Sequence, residues 1–221
     1  MPRLTRAESR ARTQKLLLAT AKRLFLRDGY PAASVEAIAE TAGFSRGAVY
    51  SAFGSKERLC MAVLEDIYTD EISAIAKALG SPGTLEQRLD AFEEWANRMI
   101  GAEGWTTLSV EFASAARRDP ELLSELVAQY ERVREMIAAV FSYQAHALGL
   151  NPALAPEAMG TAVFSLLIGL GLQRLVDPEI SVRVAVDAAR ALLDPTHSHP
   201  SSSHPNRSGP TATTSRDPDE D

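Results

Sequence analysis

Apolar residues recur along this chain at intervals of three and four and nowhere alternate strictly, so the pattern predicts helices throughout. Thr5-Arg6-Ala7-Glu8 has the form of a capping box. It opens a first helix with Leu16, Leu17, Ala19, Ala21, Leu24 and Phe25 as its buried face, ended by Asp28-Gly29. Ser34 caps a short second helix through Val35, Ile38 and Ala39, and Thr41-Ala42-Gly43 stops it. Ser45 caps a third. Ser55 opens a fourth, through Leu59, Val63, Ile67, Ile72 and Ile75 to about Leu79, where Gly80-Ser81-Pro82-Gly83 breaks it. Thr84 to Gln87 is a second capping box, leading a helix with Leu89, Phe92, Trp95, Ala96 and Met99 on one face. Trp105 to Arg118 forms the next, and Asp119-Pro120 starts a long one with Leu123, Leu126, Tyr130, Val133, Ile137 and Val140 as its seam, closed by Gly149. Asn151 to Pro156 caps a helix from about Glu157 to Val176 that is apolar on nearly every side and needs cover on more than one face. Val182, Val186, Ala189 and Leu193 stripe a last helix. The pattern predicts an all-α fold of about nine helices, preceded by a mobile arm at 1–4 and followed by a Ser-, Thr-, Pro- and His-rich disordered tail at 195–221.

Composition changes this picture in one respect. The 221 residues, 45 % of them hydrophobic, suffice for a buried core, but the net charge of −6 is unexpected for a protein that meets nucleic acid. The average conceals a division. Residues 1–60 carry eleven Lys and Arg against five Asp and Glu, a charge of +6, so the remainder carries −12. A basic head on an acidic body fits contact with nucleic acid at one end only. The single cysteine, Cys60, allows no intramolecular disulfide and suits a reducing compartment. The arginine-rich start has no apolar signal segment, and the most apolar run, Ala158 to Leu172, is shorter than the ~20 residues of a membrane span. A cytoplasmic protein without a membrane partner is expected.

The stretch from Val35 to Lys56, helix, glycine turn and helix, has the layout of a helix-turn-helix, whose second helix enters the DNA major groove. At 100° per residue, Ser45, Val49, Ala52 and Phe53 fall together and are expected to pack inward, while Arg46, Gly47, Tyr50 and Ser51 face away. Arginine suits bidentate recognition of guanine. Gly47 allows close backbone approach, and Ser45, Tyr50 and Lys56 suit phosphate contacts that set register. With Ser34, these make the candidate DNA-contacting set Ser34, Ser45, Arg46, Gly47, Tyr50, Ser51 and Lys56. Arg3, Arg6 and Arg10 could reach an adjacent groove or merely solubilise the arm.

Gly29-Tyr30, Ser34-Val35-x-x-Ile38-Ala39, Ala42-Gly43-Phe44-Ser45-x-Gly47-x-Val49-Tyr50-x-x-Phe53 and Ser55-Lys56-Glu57-x-Leu59 together resemble the N-terminal domain of TetR-family transcriptional regulators. The match covers about a quarter of the chain without a gap. The resemblance implies a three-helix DNA-binding head, 1–54, and a long fourth helix leading into a ligand-binding and dimerisation body, 55–194. It also implies a homodimer paired through the last two helices, a double-stranded operator and a small-molecule effector, expected to be largely apolar. Two departures stand out: Ala33 where threonine is common, and Ala52 where histidine or tyrosine is usual. Each removes a possible phosphate partner.

An effector needs a site in the body. Trp95, Met99, Trp105, Phe112, Tyr130, Met136 and Phe164 could line an apolar cavity, with Glu111, Gln173 or Arg174 as polar groups, although aromatic residues at helical spacing also serve simply as core. No nucleophile–base motif, phosphate loop or zinc spacing occurs, so no cofactor and no catalytic or metal site is expected. His197, His199 and His204 resemble a weak metal tract but fall in the expected tail. The alternative reading is an all-α carrier or enzyme whose head is structural, a reading under which the exposed Arg46 and Tyr50 face has no purpose.

Overall fold

The computed structural model describes residues 5–101 and 104–194, so Arg3, the arm, the His-containing tract and the tail lie outside the described residues. Among these residues every regular element is an α-helix: α1 (Arg6–Ala32), α2 (Val35–Ala42), α3 (Arg46–Phe53), α4 (Lys56–Leu79), α5 (Leu85–Met99), α6 (Trp105–Ala116), α7 (Pro120–Leu148), α8 (Pro156–Val176) and α9 (Arg183–Leu193).

The helix starts are set by local hydrogen bonds. Thr5 and Glu8 make the expected capping box, as do Thr84 and Gln87. The hydroxyls of Ser34, Ser45 and Ser55 accept the N–H groups of Ala37, Ala48 and Arg58 at 3.1, 3.2 and 3.1 Å. Asp119 caps α7 ahead of Pro120. At α8 the expected polar cap is absent: its N-cap is Ala155, without a side-chain bond, and Pro156 in the first turn leaves one fewer N–H to satisfy.

Helices α1 to α3 pack around Leu17, Ala21, Leu24 and Phe25 of α1, Val35 and Ile38 of α2 and Val49 of α3, all at most 4 % exposed. Leu16, 45 % exposed, and Ala19 fall outside that stripe, which is narrower than the sequence suggests. The 24 residues of α4 span about 36 Å. They pack against α1 and α3 at one end and α5, α6 and α7 further along, so α4 belongs to both cores. Lys22 Nζ bonds Asp66 and Asp70 at 2.8 and 2.9 Å, fastening α1 to α4.

In the body α7 pairs most extensively with α8. A Cβ at Gly160 would collide with the Arg134 carbonyl oxygen, so only glycine permits this approach of α8 to α7. The α7 stripe turns inward through Leu122 rather than Leu123, and α9 buries Val186, Ala189 and Leu193 as expected. By length and composition α8 could cross a membrane, a longer apolar run than expected, but it packs through Met159, Val163, Leu167 and Leu170 like a core helix. Its other side is open: Leu172, Leu175 and Val176 are 38, 43 and 87 % exposed.

Candidate nucleic-acid interface and effector cavity

The turn between α2 and α3 closes on Gly43, which is left-handed at φ 75°, ψ 28°; its N–H reaches the Glu40 carbonyl at 3.1 Å and Phe44 N–H reaches Ala39 at 2.9 Å. A side chain at this φ would be strained. The turn fixes where α3 begins, and Val49 at 1 % exposure, with half-buried Ala52 and Phe53, anchors its inner face. Ser45, expected to point inward, is exposed, because its hydroxyl is turned to the Ala48 N–H as a cap.

Arg46, Gly47, Tyr50 and Ser51 are exposed together on the outer face of α3. The Arg46 guanidinium pairs with Glu36 of α2 at 2.8 Å, donates to the Tyr50 hydroxyl at 3.3 Å and lies 5.4 Å from the centre of its ring. These contacts hold its basicity even above the usual arginine range, first through the Tyr50 bond and then through the Glu36 charge. The Arg46 side chain thus lies across the outer face of α3 between Glu36 and Tyr50. Sequence reasoning missed Glu36 as the partner of Arg46; its signal was a carboxylate on the short helix just ahead of an exposed arginine.

Ser34 is a half-buried cap. Lys56, in the first turn of α4, lies over the Tyr30 ring at 4.6 Å and reaches the Pro31 carbonyl at 3.5 Å. It is thus set back from α3, on the same end of the molecule. Ala33 is buried and Ala52 half-buried, and neither has a polar atom to offer.

Two sets of the proposed body residues separate in the fold. Trp95, Trp105 and Phe164 meet around a small apolar space of about 30 Å³ with Ile67, Tyr68, Glu71 and neighbouring aliphatic side chains. That volume accommodates roughly one water molecule. Tyr130 stands behind it, edge-on to Tyr68 and Phe164 at 6.3 and 5.3 Å. Met99 contributes its carbonyl, which accepts the Trp105 indole N–H at 3.0 Å, and Met136 lines a separate groove between α4 and α7. Tyr68 donates to or accepts from Ser109 at 2.9 Å, and burial pushes its phenol, like that of Tyr130, to higher pKa. Glu71 accepts the Trp95 indole N–H at 2.9 Å. Sequence reasoning missed Tyr68 and Glu71, although both continue the α4 stripe, Glu71 four residues from Ile67 and from Ile75.

Glu111 and Phe112 lie elsewhere. Glu111 accepts the Tyr30 N–H at 2.8 Å, and Phe112 meets the Tyr30 ring edge-on at 5.3 Å. Both thus join α6 to the end of α1. Tyr30 also donates to Glu57 at 3.1 Å; burial and the Glu57 charge push its phenol up. Arg174 donates to the Ile100 carbonyl at 2.8 Å and to that of Ile180, clamping α8 to two loops, while Gln173 bonds Gly169 on its own helix.

The model for bacterial regulatory proteins of the tetR family matches residues 17–63, covering most of α1, all of α2 and α3 and the start of α4. The model for the C-terminal part of BetI-type transcriptional repressors matches residues 85–197, just over half of the chain. The chain belongs to the TetR family. The transcriptional repressor AcnR of Corynebacterium efficiens is similar, at 29 % identity over 105 residues, 48 % of this chain and 51 % of that protein. So is the repressor Rv1474c of Mycobacterium tuberculosis, at 28 % over 121 residues, 55 % of this chain and 59 % of that one. The chain thus spans a little over half the length of these relatives. A TetR-family regulator from Mesorhizobium loti has the same fold, with a TM-score of 0.62 over 86 % of this chain and 96 % of that chain at 23 % identity. TetR-family membership sets the chain among transcriptional regulators rather than enzymes.

Proposed function

We propose that this TetR-family chain is a cytoplasmic, ligand-responsive transcriptional regulator, acting as a repressor, that binds a palindromic operator as a homodimer and is released by a small molecule. The observation that carries the DNA-binding reading is the outer face of α3. There Arg46 is exposed, held by Glu36 and Tyr50, and followed by a glycine that leaves the backbone bare. Arginine so placed suits bidentate contact with guanine, and Ser34, Ser45, Tyr50, Ser51 and Lys56 suit phosphate contacts around it.

In this reading residues 1–54 form the DNA-binding unit and 55–194 the regulatory and dimerisation unit. The open side of α8 supports pairing through the last two helices. It presents Leu172, Leu175 and Val176 with open space above Gly169, and on α9 Val184 is 52 % exposed. A second copy covering these groups would place two α3 helices on one face of a duplex, spaced by a turn or a multiple. The effector space is the cavity at Trp95, Trp105 and Phe164. Helix α6 carries Trp105 into that wall and Glu111 and Phe112 against Tyr30, so a change at the cavity has a mechanical route to α1. A coupling of ~1–3 kcal/mol would be enough.

Selection from a randomised duplex library tests this reading. It should enrich an inverted repeat, with binding that weakens by a log–log slope near −0.9 per neutralised phosphate as salt rises. Failure to enrich any sequence at low salt contradicts it.

A further inference from the structure

The first turns of α1 stand apart from the packed molecule. Every residue from Thr5 to Arg12 is exposed, and Leu17 is the first that is fully buried. Further along, α1 is fastened on several sides. It packs on α2 and α3, Lys22 bonds Asp66 and Asp70 of α4, and the Tyr30 N–H is held by Glu111 of α6. The projecting end is thus the one remote from α6, at the margin of the head. A helical segment this short is marginal on its own. Here the Thr5–Glu8 capping box starts it and the packed turns that follow support it.

These turns carry their charge on distinct sides. At about 100° per residue, Arg6, Arg10 and Thr13 lie within about 40° of Leu17, on one stripe with Ala21 and Leu24. Leu17, Ala21 and Leu24 face the core of the head. Past the edge of that core the same stripe continues as two arginines, about 10 and 16 Å beyond Leu17 at ~1.5 Å per residue. Among the described residues neither arginine makes an ion pair. Glu8 lies on the opposite side, where it accepts the Thr5 N–H and hydroxyl at 2.7 and 2.8 Å. Arg12 and Lys15, about 140° and 160° round from Leu17, point away as well.

Two uncompensated guanidinium groups one turn apart suit a partner whose negative charge repeats along its length, and the duplex backbone is such a partner. The stripe is also continuous with the head that carries Arg46 and Lys56, the side chains already turned to DNA. Resting on the reading of α3 as the helix that enters the major groove, we propose that Arg6 to Leu16 is a second DNA-binding element. In it Arg6 and Arg10 pair with backbone phosphates in the duplex flanking each half-site, outside the base pairs that α3 reads. A projection of about 16 Å corresponds to about five base pairs of duplex. The contact lengthens the bound site and adds affinity without reading sequence.

Fluorescence anisotropy tests this with the full-length protein and two duplexes. One is the inverted repeat enriched by selection, cut at its outer ends; the other is the same repeat with about ten base pairs added on each side. Wild type should bind the extended duplex at least tenfold tighter. Arg6→Gln/Arg10→Gln, made with another good helix former, should bind the trimmed duplex as wild type does and lose most of the gain from the flanks, with an unchanged melting temperature. Its salt slope on the extended duplex should fall by about 3 to 4, from two arginines in each of two protomers at ~0.9 apiece. Arg12→Gln/Lys15→Gln removes the same charge from the far side and should keep most of the gain. The flank contact is overturned if wild type gains nothing from the flanks, or if Arg6→Gln/Arg10→Gln keeps the gain or loses equally on both duplexes; the α3 reading then stands, because the trimmed repeat is still bound. An equal loss in Arg12→Gln/Lys15→Gln also overturns it, since positive charge on any side would then suffice. If wild type enriches no repeat and binds neither duplex, the DNA-binding reading fails and this proposal falls with it.

Discussion

Replacing Glu111 by alanine should loosen the contact between α6 and the end of α1, and the structure sets the size of the effect. The Glu111 carboxylate accepts the Tyr30 N–H at 2.8 Å in a half-buried position. A hydrogen bond to a charged acceptor contributes ~1.5–3 kcal/mol, and leaving the donor unpaired costs about as much. For a chain of this size each kcal/mol shifts the melting temperature by ~2–4 °C, so a fall of about 3–12 °C is expected. Gly29 offers an internal control. At φ 78° it needs glycine, and a Cβ there would also lie 2.8 Å from Glu111 Oε2. Gly29→Ala should therefore cost ~1–3 kcal/mol from the backbone alone and more from the collision. In the Glu111→Ala background the collision disappears, so the two changes should be less than additive. Urea unfolding of the four proteins at one fixed dimer concentration measures all of these quantities. If Glu111→Ala lies within ~0.5 kcal/mol of wild type, or the pair is strictly additive, then Glu111 does not hold this joint.

Three further outcomes follow from the same geometry. Glu36→Gln removes the ion partner of Arg46, and quantitative gel shifts should show tighter binding to random DNA with discrimination against a base change at the guanine reduced several-fold; equal tightening on all sequences would mean Glu36 only repels phosphate. Lys56→Ala should weaken all duplexes alike and reduce the salt slope by about 1, whereas a sequence-selective loss would contradict a phosphate role. Burial pushes the Cys60 thiol up, so it stays protonated in the folded chain while an unfolded cysteine ionises near pH ~8.5. Its contribution is complete below that pH and is lost as pH rises through it, at up to ~1.4 kcal/mol per unit. Cys60→Ala should flatten the stability curve between about pH 8.5 and 10; an unchanged slope would mean the thiol ionises in place.

What the sequence discloses well is what adjacent residues decide. Ser34, Ser45, Ser55, Thr84 and Asp119 cap helices because each hydroxyl or carboxylate bonds an N–H two or three positions ahead, so the code is local. Gly43 is legible for the same reason. What depends on which helix lies opposite is not. Glu111 and Phe112 suit a pocket by type, but the packing of α6 on α1 turns them to Tyr30, 81 positions away from Glu111. Glu36 and Arg46 meet only because the turn brings α2 beside α3. Glu71 lies on an apolar stripe, where a carboxylate is conspicuous, yet only the fold places rings around it. The exposed side of α8 is invisible to hydropathy, since buried Leu167 and Leu170 and exposed Leu172 and Leu175 are chemically alike.

The central claim is that α3 reads DNA through Arg46. Selection from one randomised duplex library by wild type and by Arg46→Ala, with dimer assembly checked for both, tests it most directly. Wild type should enrich an inverted repeat with guanine fixed at one symmetric position in each half-site. Arg46→Ala should keep the spacing of the repeat and lose the preference for that guanine, worth ~1–3 kcal/mol of discrimination. Recovery of the same motif, guanine included, from both proteins would contradict the account.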